Sequence, residues 1–80
     1  MAQLRQSLGE LVRLMVDHPD GVDVVEVPQA EGTLFELWTE PDDLGQVIGR
    51  QGRTARALRT LLDARAALED TRYELDICEE

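Results

Sequence analysis

Near its middle the chain reads Val47-Ile48-Gly49-Arg50-Gln51-Gly52-Arg53-Thr54-Ala55, and this segment is the strongest indication of the fold. Gly49 and Gly52 enclose two polar residues where a short helix over 44–48 should stop and a longer helix over 53–68 should start. Glycine accepts positive φ and allows a second backbone to come close. The second helix directs its free N–H groups and the positive end of its dipole into the loop. The pattern therefore predicts a loop that can hold a sugar-phosphate backbone.

Charge is distributed unevenly around this loop. The chain has 17 acidic residues against eight arginines and no lysine, for a net charge of −9. Residues 44–62 contain four of the arginines and no acid, which leaves four arginines and 17 acids, net −13, for the rest. A basic island in an acidic chain indicates a small, directed anion site rather than nonspecific binding to duplex nucleic acid. The alternative is a solvated helix face whose arginines serve only solubility.

Length and composition limit the class of protein. Eighty residues with 42% hydrophobic residues are typical of one globular domain, 1–80, with a small core. The aromatic residues are Phe35, Trp38 and Tyr73. A surface that stacks bases on aromatic rings normally needs more of them. We therefore expect any nucleic-acid recognition to rely on aliphatic and backbone contacts.

The sequence favours no enzyme class and no cofactor. Cys78 is the only cysteine and His18 the only histidine, so neither an internal disulfide nor a zinc site is supported. The loop lacks the Lys-Ser/Thr pair of a nucleotide-binding P-loop, and no nucleophile–base pair is visible. Arg5, Glu10 and Arg13 interrupt the apolar start, and no stretch has transmembrane length. We expect a cytoplasmic protein with no membrane contact and no small-molecule substrate.

Apolar spacing predicts the first half of the fold. Apolar residues at helical spacing predict an amphipathic helix over 3–17, which Pro19 ends. The apolar stripe consists of Leu4, Leu8, Leu11, Val12, Met15 and Val16. Residues 22–27 are rich in β-branched side chains and predict a strand. A turn over 28–32 and a second strand over 33–39 make these two strands an antiparallel hairpin. Both faces of the hairpin carry apolar residues, which indicates that another protein covers part of the outer face; scattered exposed apolar residues are the alternative.

The second half predicts two helices and a strand. Asp42 or Asp43 can cap the helix over 44–48. The helix over 53–68 should bury Ala55, Leu58, Leu61, Leu62 and Ala66, with Arg65 at the edge of that stripe or the helix bending before it. Tyr73, Leu75 and Ile77 alternate with acids and predict a third strand, followed by a loose Glu79-Glu80 tail. The expected fold is α+β, α-β-β-α-α-β, with three helices packed on one face of a three-stranded mixed sheet.

These residues resemble a known family. Val47-Ile48-Gly49-Arg50-Gln51-Gly52, followed by Ala55 and Leu58, is similar to the signature of the K-homology (KH) domain, and the element order matches the bacterial, type II arrangement. The passages over 11–22 and 41–49 look like those of the small single-domain bacterial KH proteins of the KhpA type. A GxxG loop alone is weak evidence of relationship, but GxxG between two helices in a chain of this length and order is fairly specific.

The resemblance implies a single-stranded RNA-binding module. A KH loop clamps the backbone of about four nucleotides. Applied to this chain, the resemblance implies that Gly49 and Gly52 permit close approach of the RNA backbone. Arg50 and Gln51 would project at the phosphates, and Arg53 and Arg56 would form a charged rim. Val47 and Ile48 would form an aliphatic floor beneath the bases. Ala55 and Leu58 belong either to that floor or to the core.

The resemblance also implies partners and a wider role. Proteins of this type are thought to pair with a second KH-containing protein, which predicts a homodimer or heterodimer. They are also thought to affect cell-envelope growth, as an RNA chaperone or post-transcriptional regulator would. The alternative function is a protein-interaction module with a degenerate KH fold and little affinity for RNA, pairing through Trp38, Leu34 or the loop itself.

Overall fold

The computed structural model describes residues 2–79. Three helices and three strands follow one another in the predicted order, joined by single 3-10 turns at Pro19–Gly21, Pro41–Asp43 and Arg50–Gly52. The elements are α1 (Ala2–Arg13), β1 (Asp23–Gln29), β2 (Gly32–Thr39), α2 (Leu44–Ile48), α3 (Arg53–Leu68) and β3 (Arg72–Glu79).

The sheet is mixed, with β2 between the other two strands. β1 pairs antiparallel with β2 in a register that places Val24 opposite Leu37. β3 pairs parallel with β2 in a register that places Phe35 beside Leu75. A parallel pair needs a crossover connection, and α2 and α3 supply it. The α+β, type II KH arrangement expected from the sequence is therefore confirmed.

All three helices bury their apolar stripes against one face of the sheet. α1 contributes Leu8 and Val12, α2 contributes Val47, and the core cluster also includes Val24, Phe35, Leu37, Leu58, Leu62, Ala66, Tyr73 and Leu75. The rings of Phe35 and Tyr73 meet edge to face with centroids 5.4 Å apart, a geometry that adds to the area they bury. The alternation predicted for β2 and β3 is confirmed, because Phe35 and Leu37 are buried while Leu34, Glu36 and Trp38 lie on the opposite face.

The outer face of the sheet combines apolar and acidic side chains. Val25 is exposed, and Leu34 and Trp38 are half-buried. Glu36 lies beside Asp76 in the parallel register, so two carboxylates are lateral neighbours. Like charges at neighbouring positions of a sheet destabilise it. A second copy of the chain on this face would bring further carboxylates together, which argues against self-pairing through Trp38.

The first helix is shorter than predicted. Its periodicity continues to residue 16, but α1 ends at Arg13 and Leu14 is exposed. The amides of Asp17 and His18 do not bond to the preceding helical turn. They donate instead to the carboxylate of Asp43, at 3.2 and 2.9 Å. The chain leaves the helix early because a distant acceptor takes these two donors.

Two leucines of the predicted stripes lie outside the core. Leu11 is 39% exposed and Leu61 is 60% exposed, so their predicted burial was wrong. Each is at the margin of its stripe, where the position of the neighbouring element decides burial. α3 does not bend before Arg65, which lies in solvent and donates to Glu69 at 2.8 Å. Glu69 also accepts from the hydroxyl of the buried Tyr73.

Strand boundaries differ from the prediction at both ends of the sheet. β1 begins at Asp23 rather than at Val22 and continues through Pro28, which β1 tolerates as an edge strand. The turn is correspondingly short, Ala30 and Glu31. Glu79 was expected to be loose but is the last residue of β3, paired beside Thr39. Glu80 lies outside the described residues.

The side chain of Asp43 does not cap α2, although the sequence suggested that it could. Its carboxylate is wholly buried and makes no capping bond to α2. Besides the two amides, it bonds to Nδ1 of His18 at 3.1 Å. Burial opposes ionisation, but these donors outweigh it and lower the pKa of Asp43 below 3.8. Asp43 therefore joins the end of the α1 segment to the start of α2.

The same contact predicts a pH dependence of stability. The hydrogen bond to Asp43 and the attraction of its charge raise the pKa of His18 above 6.5, and Glu40 and Asp42 add to the effect. A raised pKa in the folded state contributes stability that is complete below about pH 6.5 and is lost as pH rises through the folded value. We expect the Tm difference between the wild type and His18→Gln to be largest near pH 6 and to shrink by about pH 9. A difference that stays constant over this range in calorimetry would contradict the contact.

Candidate nucleic-acid interface

The loop 49–52 has a backbone that favours glycine at two of its positions. Gly49 has φ 80° and ψ 170°, and Gly52 has φ 74° and ψ 15°. Gln51 between them also has positive φ, at 57°, a region that non-glycine residues enter rarely. The chain between α2 and α3 is therefore a tight turn with three residues of positive φ.

The two glycines are required for different reasons. A Cβ built on Gly49 would lie 2.3 Å from Oγ1 of Thr54 and 2.8 Å from its backbone nitrogen. A Cβ on Gly52 would have nothing within 4 Å. Gly49 is fixed by both dihedral angle and packing, whereas Gly52 is fixed by dihedral angle alone and faces open space. An approaching ligand can therefore come close to Gly52.

Three hydrogen bonds hold the loop in this shape. The amide of Gly49 donates to the carbonyl of Gly45 at 2.8 Å, and the amide of Gly52 donates to the carbonyl of Gly49 at 3.1 Å. Nη2 of Arg56 donates to the carbonyl of Gln51 at 3.1 Å. Arg56 was expected on the charged rim. From the first turn of α3, it also stabilises the loop through this hydrogen bond.

The positive charge of the loop is open to solvent. Arg50, Arg53 and Arg56 are exposed. In the described range 2–79, the arginine–carboxylate ion pairs within 4.0 Å involve Arg5, Arg65 and Arg72 and none of the loop arginines. An unpaired guanidinium next to a helix N-terminus is a strong donor for an anion with planar oxygens. The loop region consequently presents to a phosphate several exposed arginines that no carboxylate of residues 2–79 neutralises.

The residues proposed for an aliphatic floor divide into surface and core. Ile48 is 38% exposed beside the loop. Val47 is wholly buried in the core cluster, and Ala55 and Leu58 are buried as well. Val47 offers no surface in this structure and supports the loop by packing beneath α2. Of these four residues only Ile48 is available to touch a base directly.

Arg59 is a candidate residue that the site prediction did not include. Its Nη2 donates to the carbonyl of Leu75 in the edge strand β3, at 3.3 Å. A shallow cleft at this edge is lined by both residues and by Asp63 and Asp76. The three-residue spacing from Arg56 places Arg59 on the same side of α3. This spacing was visible in the sequence, but only the position of β3 shows what the guanidinium contacts.

Comparison with known proteins identifies the family. A model of the KhpA/KhpB KH domain matches residues 5–77, which is nearly all of the chain and includes the loop, β1, β2 and most of α1 and β3. The chain belongs to the KhpA/KhpB family of KH domains. The predicted membership is therefore confirmed.

Several curated members of the KhpA/KhpB family are similar over most of their length. The RNA-binding protein KhpA of Leifsonia xyli subsp. xyli is 44% identical over 77 residues, 96% of this chain and 99% of the relative. The KhpA of Halalkalibacterium halodurans is 48% identical over 74 residues, which are 92% of this chain and 97% of the relative. The KhpA of Streptomyces coelicolor is 51% identical over 61 residues, which are 76% of this chain and 77% of the relative. No solved structure gave a significant match.

The described part of the chain shows neither a metal site nor a membrane-spanning helix. Within residues 2–79, no cluster of three or more histidine, cysteine, aspartate or glutamate side chains is arranged to hold a metal ion. None of the helices in the same range combines the length and apolarity needed to cross a bilayer.

Proposed function

We propose that this chain binds single-stranded RNA by holding the RNA backbone in the loop Gly49–Gly52. The observation that carries the proposal is the backbone of this loop. Two positive-φ glycines place an open, Cβ-free surface at Gly52 directly before the N-terminus of α3. Exposed arginines without carboxylate partners surround it. KhpA relatives are named as RNA-binding proteins, which supports RNA as the ligand.

Each residue of the site has a separate part in this proposal. Arg50 and Gln51 project from the turn and donate to phosphate oxygens, and Arg53 extends the charge along α3. Arg56 keeps the turn in shape through its bond to the Gln51 carbonyl and adds positive charge. Ile48, the exposed residue of the aliphatic floor, contacts a base. Gly49 and Val47 fix the backbone from below.

The proposal includes a non-enzymatic role in the cytoplasm. The chain would act as an RNA chaperone or post-transcriptional regulator, linked to cell-envelope growth, and this part rests on the family resemblance. It would pair with a second KH-containing chain as a homodimer or heterodimer. Exposed Leu61 and Leu68 on α3 provide apolar surface for such a pairing.

Salt-dependent binding to an unstructured RNA tests the proposal. A fluorescently labelled heptamer of uridylate should bind, and an RNA duplex of equal length should bind much more weakly, because the loop accommodates a single backbone. A site with two to four phosphate contacts predicts that log affinity falls with log salt at a slope of roughly −1.5 to −3. Absence of heptamer binding in fluorescence anisotropy at low salt would favour the protein-interaction alternative.

A further inference from the structure

The outer face of the sheet carries apolar surface that the fold itself does not use. Four apolar side chains project on the side opposite the three helices, namely Val25, Val27, Leu34 and Trp38. Among the described residues, none of these four belongs to the core cluster or packs against it. Val25 is 39% exposed, and the other three are half-buried. Since an apolar sheet face is normally buried against a second layer, this surface is suited to a partner.

Carboxylates flank the apolar side chains, most of them on the β3 side. Glu36, Glu74 and Asp76 share the outer face because side chains alternate along a strand, and Asp23 lies opposite Trp38. Glu36 and Asp76 are lateral neighbours on strands about 4.8 Å apart. In the ion pairs of residues 2–79, Glu74 pairs with Arg72 at 3.9 Å, whereas Glu36 and Asp76 have no cationic partner. The face therefore combines apolar surface with unneutralised negative charge.

The thiol of Cys78 responds to the field of these carboxylates. Cys78 lies beside Trp38 in the parallel register and faces the same way. Burial raises the pKa of the Cys78 thiol, and the charges of Asp76 and Glu36 raise it further. A field that disfavours a thiolate favours a cation in the same place. The outer face therefore selects positive charge next to an apolar contact.

We infer that the outer sheet face binds an amphipathic helix of a partner protein, one that carries arginine or lysine beside its apolar stripe. The stripe covers Val25, Leu34 and Trp38, and a basic side chain lies between Glu36 and Asp76. A guanidinium has five N–H donors and can bond to both carboxylates at once. The repulsion between these like charges in the free sheet is then relieved. This surface and the helices that flank the loop 49–52 lie on opposite sides of the sheet, so the inference is independent of RNA binding.

The dimensions of the face fit one helix. The central strand β2 has eight residues and is about 26 Å long, and the two spacings between three strands add up to about 10 Å. A helix of about 16 residues is about 24 Å long and about 10–12 Å wide with its side chains. A helix also satisfies its own backbone amides and carbonyls, whereas a strand laid flat on the sheet would leave them unpaired. A single helix can therefore cover the apolar side chains.

Other occupants complement this face less well. The phosphates of RNA would meet the carboxylates of Glu36, Glu74 and Asp76, which repel them. A second copy of the chain, docked through the same face, would bring a second set of these carboxylates against the first, and each chain has a net charge of −9. A basic amphipathic helix complements the apolar and the acidic parts of the face together.

A synthetic helix tests the inference. The probe is a fluorescently labelled, alanine-based peptide of about 16 residues with a stripe of leucines at helical spacing and arginines along one border of that stripe. A second version carries glutamate in place of every arginine. At about 150 mM salt, which screens exposed charges, we expect the arginine version to bind in fluorescence anisotropy and the glutamate version not to bind. In NMR spectra of the labelled protein, the amide shifts caused by the arginine peptide should centre on β1 and β2 around Trp38.

Two variants separate the acidic and the apolar parts of the face. Glu36→Gln with Asp76→Asn should weaken binding of the arginine peptide roughly tenfold, through loss of charge-assisted hydrogen bonds. The same double variant should raise the Tm of the free chain, because it removes a pair of neighbouring like charges from the sheet. Trp38→Ser should weaken binding roughly thirtyfold, as the loss of a central aromatic contact does. Circular dichroism checks that each variant is folded.

Glu10→Gln with Asp20→Asn is the matched control. It removes the same two charges from exposed positions outside the sheet and should change the affinity less than about twofold. An equal loss in the control and in the double variant of the face would show attraction by overall charge and would overturn the inference. Failure of the arginine peptide to bind, or amide shifts centred on α3, would overturn it as well. A dimer in sedimentation that Trp38→Ser abolishes would assign the face to a second copy instead.

Discussion

Gly49→Ala should destabilise the folded chain by about 3 kcal/mol or more. A left-handed or glycine-only conformation costs about 1–3 kcal/mol for another residue, and φ 80° with ψ 170° belongs to that class. The added methyl group would also lie 2.3 Å from Oγ1 of Thr54 and 2.8 Å from the Thr54 backbone nitrogen. Relief requires a shift of the first turn of α3, and forced overpacking typically costs about 1–3 kcal/mol.

Gly52→Ala is the control for this prediction. It introduces the same methyl group at a similar φ of 74°, but nothing lies within 4 Å. We expect a loss of about 1 kcal/mol, from the dihedral preference alone. Urea unfolding monitored by Trp38 fluorescence or circular dichroism measures both variants. Equal losses would show that the Thr54 contact does not constrain Gly49.

Replacing Arg50 and Gln51 together by Asp should reduce affinity for single-stranded RNA by on the order of a hundredfold or more. The change removes a charge-assisted donor, worth about 1.5–3 kcal/mol, and places two negative charges where phosphates are expected to lie. The fold should survive, because both side chains are exposed and neither glycine is altered. Fluorescence anisotropy with the uridylate heptamer measures the loss.

The chain offers a matched control for that double variant. Arg5 and Gln6 form the same dipeptide on α1, and both are exposed. Arg5→Asp with Gln6→Asp makes an identical change in net charge on α1, where Arg5 pairs with Glu26 rather than facing the loop, so it should lower affinity only through the weak long-range field. A similar loss in both double variants would indicate a general charge effect. Wild-type affinity in a folded loop variant would place the RNA site elsewhere and favour the protein-interaction alternative.

The helical periodicity of α3 was sufficient to predict most of its buried face. Leu58, Leu62 and Ala66 repeat every four residues and are all buried. Leu61 has the same chemistry and adjoins the stripe, yet it is mostly exposed. A sequence pattern locates the centre of a helix face but not its margin, because the margin depends on how close the neighbouring strand or helix lies.

Long-range contacts explain the remaining differences. The end of α1 depends on Asp43, which is 25 and 26 residues away from the two amides that it accepts. No local rule connects residues so far apart. The need for two glycines was visible in the sequence, but only the position of Thr54 distinguishes Gly49 from Gly52. The contact of Arg59 likewise depends on where β3 places the carbonyl of Leu75.

The carboxylate of Asp43 also makes the segment before β1 part of the folding unit. Within residues 2–79 its recorded donors belong to Asp17 and His18, so a chain trimmed to begin at β1 would leave the carboxylate of Asp43 without these three bonds. Such a charge costs several kcal/mol in a protein interior, and it would lie one residue before α2, the helix that leads into the loop. The N-terminal segment is therefore not an appendage: a chain that begins at β1 loses these donors together with Leu8 and Val12 of the core, and its unfolding in urea should no longer be cooperative.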